Sequence, residues 1–286
     1  MKPATALRQL LARPDLLVAP GAYDCISARL IEQAGFEAVY MTGAGTAASL
    51  GYPDYGLITM TEMVENAAMM ARSVGVPVIA DADTGYGNEL NVTRTVREYE
   101  SRGIAGIHIE DQASPKRCGH LEGKELIPLQ EFVAKVRAAV AARRDPDFLI
   151  IARSDARAVT GLDDAIARVN AALGAGADMA FVEATQTMAE VAAVPKRVTG
   201  PCLLNVVPGG KTPLFDLREA GAMGYRLAIL PGLLLKAMIH AADAELAQLK
   251  ATHLPPASPG GKSVLDTFRR FGADEWDGIR KRFQNS

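Results

Sequence analysis

Residues 92–111 read VTRTVREYESRGIAGIHIED, and the fold follows from how this stretch changes character along its length. Over 92–102 the apolar residues recur every 3.6 positions, the mark of a helix with one buried face. Gly103 ends that pattern, as a glycine at a helix C-terminus does. The run Gly106-Ile107-His108-Ile109-Glu110 is then short, almost wholly apolar and closed by acids, as a strand buried on both faces is. The same unit recurs along the chain. Strands are expected at 16–20, 38–42, 76–81, 106–110, 148–153, 179–183, 202–205 and 226–230, and helices between them at 61–73, 92–102, 129–143, 162–173 and 233–249. Small or glycine-containing turns such as Ala34-Gly35, Ala175-Gly176 and Met223-Gly224 precede several of the strands. Eight strands alternating with helices, with no linker between them, predict an α/β fold, a (β/α)8 barrel forming a single domain over 1–286.

An open doubly wound sheet is the alternative, and the glycine motifs do not support it. Gly43-Ala44-Gly45 lacks the full dinucleotide fingerprint, and Gly209-Gly210-Lys211-Thr212 lacks the earlier glycine of a phosphate loop and runs into Pro213. The one break in the pattern is Pro255–Gly261, rich in proline and glycine. Beyond it residues 262–286 carry Val264, Leu265, Phe268, Phe271, Trp276, Ile279 and Phe283, too aromatic for a solvated tail and suited to packing on a second subunit or on the barrel itself.

The chain has 286 residues, 49% hydrophobic and 22% charged, with a net charge of −2. No basic face points to nucleic acid. No apolar run approaches the roughly 18 residues of a membrane span. The first 17 residues lack a signal peptide's apolar run, and three cysteines make no disulfide framework, so a cytoplasmic protein with reduced thiols is expected.

In such a barrel the reactive groups stand at the C-terminal ends of strands. Asp81, Glu110, Arg153, Glu183 and Asn205 all fall there. Asp81, Asp83 and Glu110 offer hard oxygen ligands, which suit Mg²⁺, or Mn²⁺ in its place, with Asp81 as the direct ligand and the others acting through water. His108 lacks partners at zinc-ligand spacing and reads as a packed barrel histidine. Cys118 lies in Lys116-Arg117-Cys118-Gly119-His120. Those cations are expected to lower its pKa and keep it partly thiolate, as nucleophile or proton donor. Cys25 and Cys202 read as small buried hydrophobes, and Met60, Met63, Met69 and Met70 as helix core. Arg153 suits bidentate binding of a carboxylate. The backbone of Thr42-Gly43-Ala44-Gly45 can aim N–H groups at an oxyanion. Together these groups predict retro-aldol or Claisen-type cleavage of a small di- or tricarboxylate.

The segments Tyr40–Gly43, Leu50–Asp54, Asp81–Gly87, His108–Gln112, Lys116–His120 and Ala152–Ala156 resemble the isocitrate lyase and phosphoenolpyruvate mutase superfamily, and Lys116–His120 resembles its carbon–carbon lyase branch. The resemblance implies Mg²⁺ at Asp81 with Asp54, Asp83 and Glu110 around it, Cys118 as the acid, and Arg153, Thr42, Gly43, Ala44 and Asn205 holding the part that becomes an α-keto acid. It sets Tyr40, Gly119, His120 and Glu183 beside the substrate and Asp54 among the catalytic groups. It also implies a last helix exchanged between subunits, in a dimer or dimer of dimers. Asn205–Pro213 resembles lyases of 2-alkylmalates. Phe271 stands where methylisocitrate lyases carry an arginine, which favours a dicarboxylate, with Arg269 or Arg270 as other sources of that charge. Pro231 resembles the lyases rather than oxaloacetate hydrolases. Phosphonomutase and oxaloacetate decarboxylase or hydrolase activities on the same scaffold are the alternatives.

Overall fold

A computed structural model describes residues 1–284. Its strands are β1 (Leu17–Ala22), β2 (Val39–Met41), β3 (Val78–Asp81), β4 (Gly106–Glu110), β5 (Leu149–Ser154), β6 (Met179–Val182), β7 (Cys202–Asn205) and β8 (Tyr225–Leu230). They pair in parallel, in chain order, into a closed barrel, with β8 returning to β1. The helices are α1 (Pro3–Leu11), α2 (Cys25–Gln33), α3 (Gly43–Ser49), α4 (Met60–Ser73), α5 (Glu89–Ser101), α6 (Leu129–Ala142), α7 (Leu162–Gly174), α8 (Met188–Arg197), α9 (Leu217–Met223), α10 (Leu233–Thr252), α11 (Val264–Arg269) and α12 (Ala273–Gln284). Among the described residues no helix is long and apolar enough to cross a membrane.

Two compact units divide the chain at 235/236. The first, residues 1–235, is the barrel. Helix starts in it are chemically marked: Asp24 and Ser27 form a capping box on α2, Thr59 and Glu62 one on α4, and Asn88 and Asn91 one on α5. Side chains alternate in and out along each strand. Inward-facing Ala19, Tyr40, Ile79, Leu149, Ile151, Met179, Phe181, Leu203 and Leu227 fill the barrel, and Leu7 and Leu10 of α1 pack into the same cluster. Outward-facing Val39, Ala80, Ile107, Ile109 and Ile150 pack instead with α4 and α5 residues such as Met63, Ala67, Val92 and Val96.

The second unit, residues 236–286, holds the rest of α10 together with α11 and α12. None of these helices has a buried residue, and Met238, Leu246, Val264, Phe268, Trp276 and Phe283 are exposed. The expected methionine core is partly corrected: Met63 and Met70 are buried, but Met69 is 47% exposed because it lies on the outer face of α4. Cys202 is buried as expected, whereas Cys25, at the first turn of α2, is only half-buried.

Candidate active site

The alternation that fills the barrel also builds its mouth. On β3 the inward positions are Ile79 and Asp81, on β4 His108 and Glu110, on β5 Ile151 and Arg153, on β7 Leu203 and Asn205. The register sets Asp81 opposite His108 and Glu110 opposite Arg153. Glu183 follows β6 two positions after the inward Phe181. On β3, β5 and β7, and just past β6, the inward face therefore changes from apolar to polar within one period, while on β4 both positions are polar.

Arg153 is the hub. Its Nε lies 2.9 Å from Asp155 Oδ2 and 3.1 Å from Glu110 Oε2, and its Nη2 lies 3.5 Å from Glu183 Oε2. Glu183 also accepts from Asn205 Nδ2 at 2.9 Å and from the Ala184 N–H at 2.7 Å. Burial pushes Glu183 up, but Arg153, His120 and Asn205 outweigh it and hold the carboxyl far below its usual range. Burial likewise opposes the charge on Arg153, and Asp155, Glu110 and Glu183 more than restore it. Arg153 thus already faces three carboxylates through Nε and Nη2, and a substrate carboxylate shares it with them.

Asp155, which the sequence reading passed over, is held by Asp111. The Asp155 N–H and the Ser154 hydroxyl donate to Asp111 at 2.9 and 2.6 Å, and Arg168 lies 3.4 Å away. The signal was present: Asp155 stands two residues after Arg153.

Asp81 accepts from the Asp83 N–H at 2.9 Å and from the Gly43 N–H at 3.2 Å. Against burial, which raises it, His108, Lys116 and Arg153 draw Asp81 down to about 2. The proposed oxyanion donors need correction here. The Gly43 N–H faces Asp81, and the Gly45 N–H faces the Thr42 hydroxyl at 3.3 Å. Ala44 sits in the first turn of α3 and is half-buried. Tyr40 contacts His108 Nε2 at 2.8 Å through its hydroxyl. Burial lowers His108 to about 4, so its ring is neutral near pH 7.

The acids expected to bind a metal are near one another but do not form a ligand cluster: among the described residues no group of three or more His, Cys, Asp or Glu is arranged to hold an ion. Lys116 explains this. Its Nζ lies 2.5 Å from Asp54 Oδ1 and 2.7 Å from Asp83 Oδ1, so an ammonium stands among the acids. A divalent cation nevertheless fits the donor set. Asp54, Asp81, Asp83, Glu110, Asp155 and Glu183 outnumber Lys116 and Arg153. Burial raises Asp83 to about 6 and Glu110 well above its usual range. Neither buried oxygen of Glu110 accepts a well-formed hydrogen bond. Such a mouth lacks positive charge, and its carboxylate and amide oxygens that accept no well-formed hydrogen bond, on Asp83, Glu110 and Asn205, are hard donors.

The loop carrying Cys118 lies over this mouth. The Cys118 N–H donates to the Asp54 carbonyl at 3.1 Å, and Gln112 clamps Arg117 through both its amide atoms, at 2.8 and 3.0 Å. Lys124 Nζ donates to the carbonyls of Gly119 and Leu121 at 2.5 and 2.7 Å. Gly119 packs directly on the hub: a Cβ there would stand 2.5 Å from Glu183 Cγ and 2.6 Å from Arg153 Nη2. His120 Nε2 faces Glu183 Oε1 at 3.2 Å.

The expected thiolate is overturned. Burial, and after it the charge of Asp54, pushes the Cys118 thiol up to about 11. The neighbouring basic side chains are turned elsewhere, the Lys116 ammonium to Asp54 and Asp83, the His120 imidazole to Glu183, and Arg117 onto the Tyr55 ring at 5.5 Å. At neutral pH Cys118 is a thiol with a proton to give.

Fold and site together define a (β/α)8-barrel enzyme with an acidic mouth and a thiol-bearing loop above it. The chain belongs to the phosphoenolpyruvate phosphomutase family, whose profile matches residues 7–250. It is 50% identical over 232 residues to a 2,3-dimethylmalate lyase of Eubacterium barkeri, covering 81% of this chain and 80% of that one. It is 44% identical over 248 residues to a 2-methylisocitrate lyase of Aeropyrum pernix, covering 87% and 80%. A solved oxaloacetate acetylhydrolase bound to 3,3-difluorooxalacetate superposes with a TM-score of 0.95 at 39% identity, over 99% of this chain and 97% of that one.

Proposed function

We propose that this chain is a carbon–carbon lyase that splits a 2-hydroxy dicarboxylate of the 2-alkylmalate type into an α-keto acid such as pyruvate and a second carboxylic acid. The observation that carries this is the seat of the Cys118 loop, anchored on the Asp54 carbonyl and packed through Gly119 onto Glu183 and Arg153, where burial and Asp54 favour the thiol over the thiolate. In the reaction the 2-hydroxyl gives its proton to a carboxylate of the mouth. The C2–C3 bond breaks, its electron pair leaves on C3, and C2 becomes the keto carbon. The Cys118 thiol protonates C3. Arg153 and Asn205 hold the substrate's carboxylate end, and the loop keeps water from the carbanion. Asp81, Asp83 and Glu110, with Asp54 beside them, would hold Mg²⁺ or Mn²⁺, which when bound supplies positive charge to a 2-hydroxyl or 2-oxo group.

A dicarboxylate is preferred because Asn205–Pro213 resembles the 2-alkylmalate lyases and the Eubacterium barkeri relative is named for one. The tricarboxylate 2-methylisocitrate is the second candidate, supported by the Aeropyrum pernix relative. The exposed apolar residues of α10–α12 support association with a second copy, in a dimer or dimer of dimers, and three free cysteines support a cytoplasmic setting.

The test is keto-acid release from 2,3-dimethylmalate, 2-methylmalate, 2-methylisocitrate, isocitrate and oxaloacetate, with Mg²⁺ and then with chelator. Metal-dependent release of pyruvate from one hydroxy acid is expected, with Cys118→Ser slower by roughly 10²-fold or more. Turnover of oxaloacetate alone, or an unimpaired Cys118→Ser, would refute the lyase mechanism.

A further inference from the structure

The motif Gly209-Gly210-Lys211-Thr212 has no part in the chemistry above, yet the structure sets it directly against the catalytic loop. The backbone N–H of Lys211 donates to Nδ1 of His120 at 3.0 Å. Nδ1 is therefore the acceptor, and the ring carries its proton on Nε2, which faces Glu183 Oε1 at 3.2 Å. Gly210 is the point where the two loops touch. A Cβ there would stand 2.6 Å from His120 Nδ1, 2.9 Å from His120 Cε1 and 2.9 Å from the Val207 carbonyl. The Gly210 N–H donates to that same carbonyl at 2.8 Å, which fixes the turn and leaves it no room to retreat.

A second grip lies further out. Lys211 Nζ pairs with Glu122, whose side chain is 80% exposed. Glu122 follows the turn in which the Leu121 N–H donates to the Cys118 carbonyl at 2.9 Å. The segment after β7 thus holds the Cys118 loop twice, at His120 through backbone and at Glu122 through charge. Thr212, the next residue, is itself buried.

We infer that Gly210 and Lys211 are positioning residues that latch the Cys118 loop shut, acting through His120 and Glu122. The inference rests on the reading of Cys118 as the working group of that loop, but its test does not require turnover. The readouts are the rate at which iodoacetamide alkylates Cys118 at pH 9, followed on its peptide by mass spectrometry with and without oxalate, and the ring nitrogen signals of His120.

Gly210→Ala should raise the alkylation rate about tenfold or more and move the His120 Nδ1 signal away from that of a hydrogen-bonded acceptor. Glu122→Lys and Lys211→Glu should each raise the rate about two- to fivefold, the range of an exposed ion pair. The double reversal should return it to the wild-type rate. The outer pair is exposed, so these variants leave the barrel core untouched. A wild-type rate and unchanged His120 signals in Gly210→Ala would overturn the role of Gly210. Silent single reversals, or a double reversal that fails to restore the rate, would overturn that of Lys211. An active Cys118→Ser would sink the lyase mechanism while leaving these measurements standing.

Discussion

The closed position of the catalytic loop depends on one hydrogen atom, the side chain of Gly119. Adding a methyl group there puts Cβ 2.5 Å from Glu183 Cγ and 2.6 Å from Arg153 Nη2. Neither neighbour can yield. Glu183 is held by Asn205, Ala184 and His120, and Arg153 by Asp155 and Glu110. The loop itself must move, from 2.5 to the ordinary 3.4 Å, a retreat of roughly 0.9 Å. The adjacent Cys118 moves with it, and a displacement of that size at a reacting group costs about 10²-fold in rate. Gly119 is buried against the hub, so the added methyl should cost about 1–3 kcal/mol in stability, the range for overpacking a packed site. The assay is pyruvate release, coupled to NADH oxidation, alongside urea unfolding of the same preparations. Gly119→Ala with kcat within about threefold of wild type would refute the reasoning, because it would show that productive geometry does not need the loop this close. A loss of stability beyond that range would refute it differently, by showing that the loop braces the barrel.

Three further outcomes follow from the same contacts. Because the Cys118 thiol titrates only near about 11, its alkylation rate should climb about tenfold per pH unit from 7 to 10; a plateau below pH 9 would contradict its burial. His108 is held neutral down to about 4 while the unfolded chain takes its proton near 6.5, so its contribution to stability is present above pH 6.5 and is lost as pH falls toward 4, by on the order of 3 kcal/mol. His108→Gln should lack that loss, and a difference between the two proteins that is the same at pH 6.5 and 4.5 would contradict it. Asp111→Ala strands Ser154, the Asp155 N–H and Arg168 in a buried setting and should cost about 3 kcal/mol in urea unfolding; a cost under about 1 kcal/mol would mean the network re-pairs.

The barrel was legible because its two periods are so different. Between Val92 and Glu110 the sequence passes from a helical stripe to an apolar strand within a few residues, and β4 lies where that change predicts. Strand-end polar residues were legible for the same reason, since alternation turns Asp81, Glu110, Arg153 and Asn205 inward at one level. What could not be read was the direction in which long side chains reach. Lys116 and Arg117 are neighbours of Cys118 in sequence, but their partners Asp54, Asp83 and Tyr55 are decades of residues away. Asp155 was missed at a smaller scale, because β5 runs one residue beyond the expected strand end and carries the inward pattern with it.

The two largest departures from expectation, the thiol that is not a thiolate and the acids that do not form a ligand cluster, have one cause. The mouth holds more carboxylate than cation, so it draws in the nearby ammonium and imidazole groups. Lys116 goes to Asp54 and Asp83, and His120 to Glu183, so neither serves Cys118. The thiol is left with burial and the negative field of Asp54. With a pKa of about 11, roughly one molecule in several thousand carries a thiolate at pH 7.5, so nucleophilic attack would sacrifice more than three orders of magnitude in rate. A general acid has the opposite requirement, since it has to arrive protonated. The same electrostatic imbalance therefore decides between the two roles open to Cys118. It makes the acidic mouth itself, rather than the basic residues adjacent in sequence, the feature that fits the cysteine for delivering a proton to carbon.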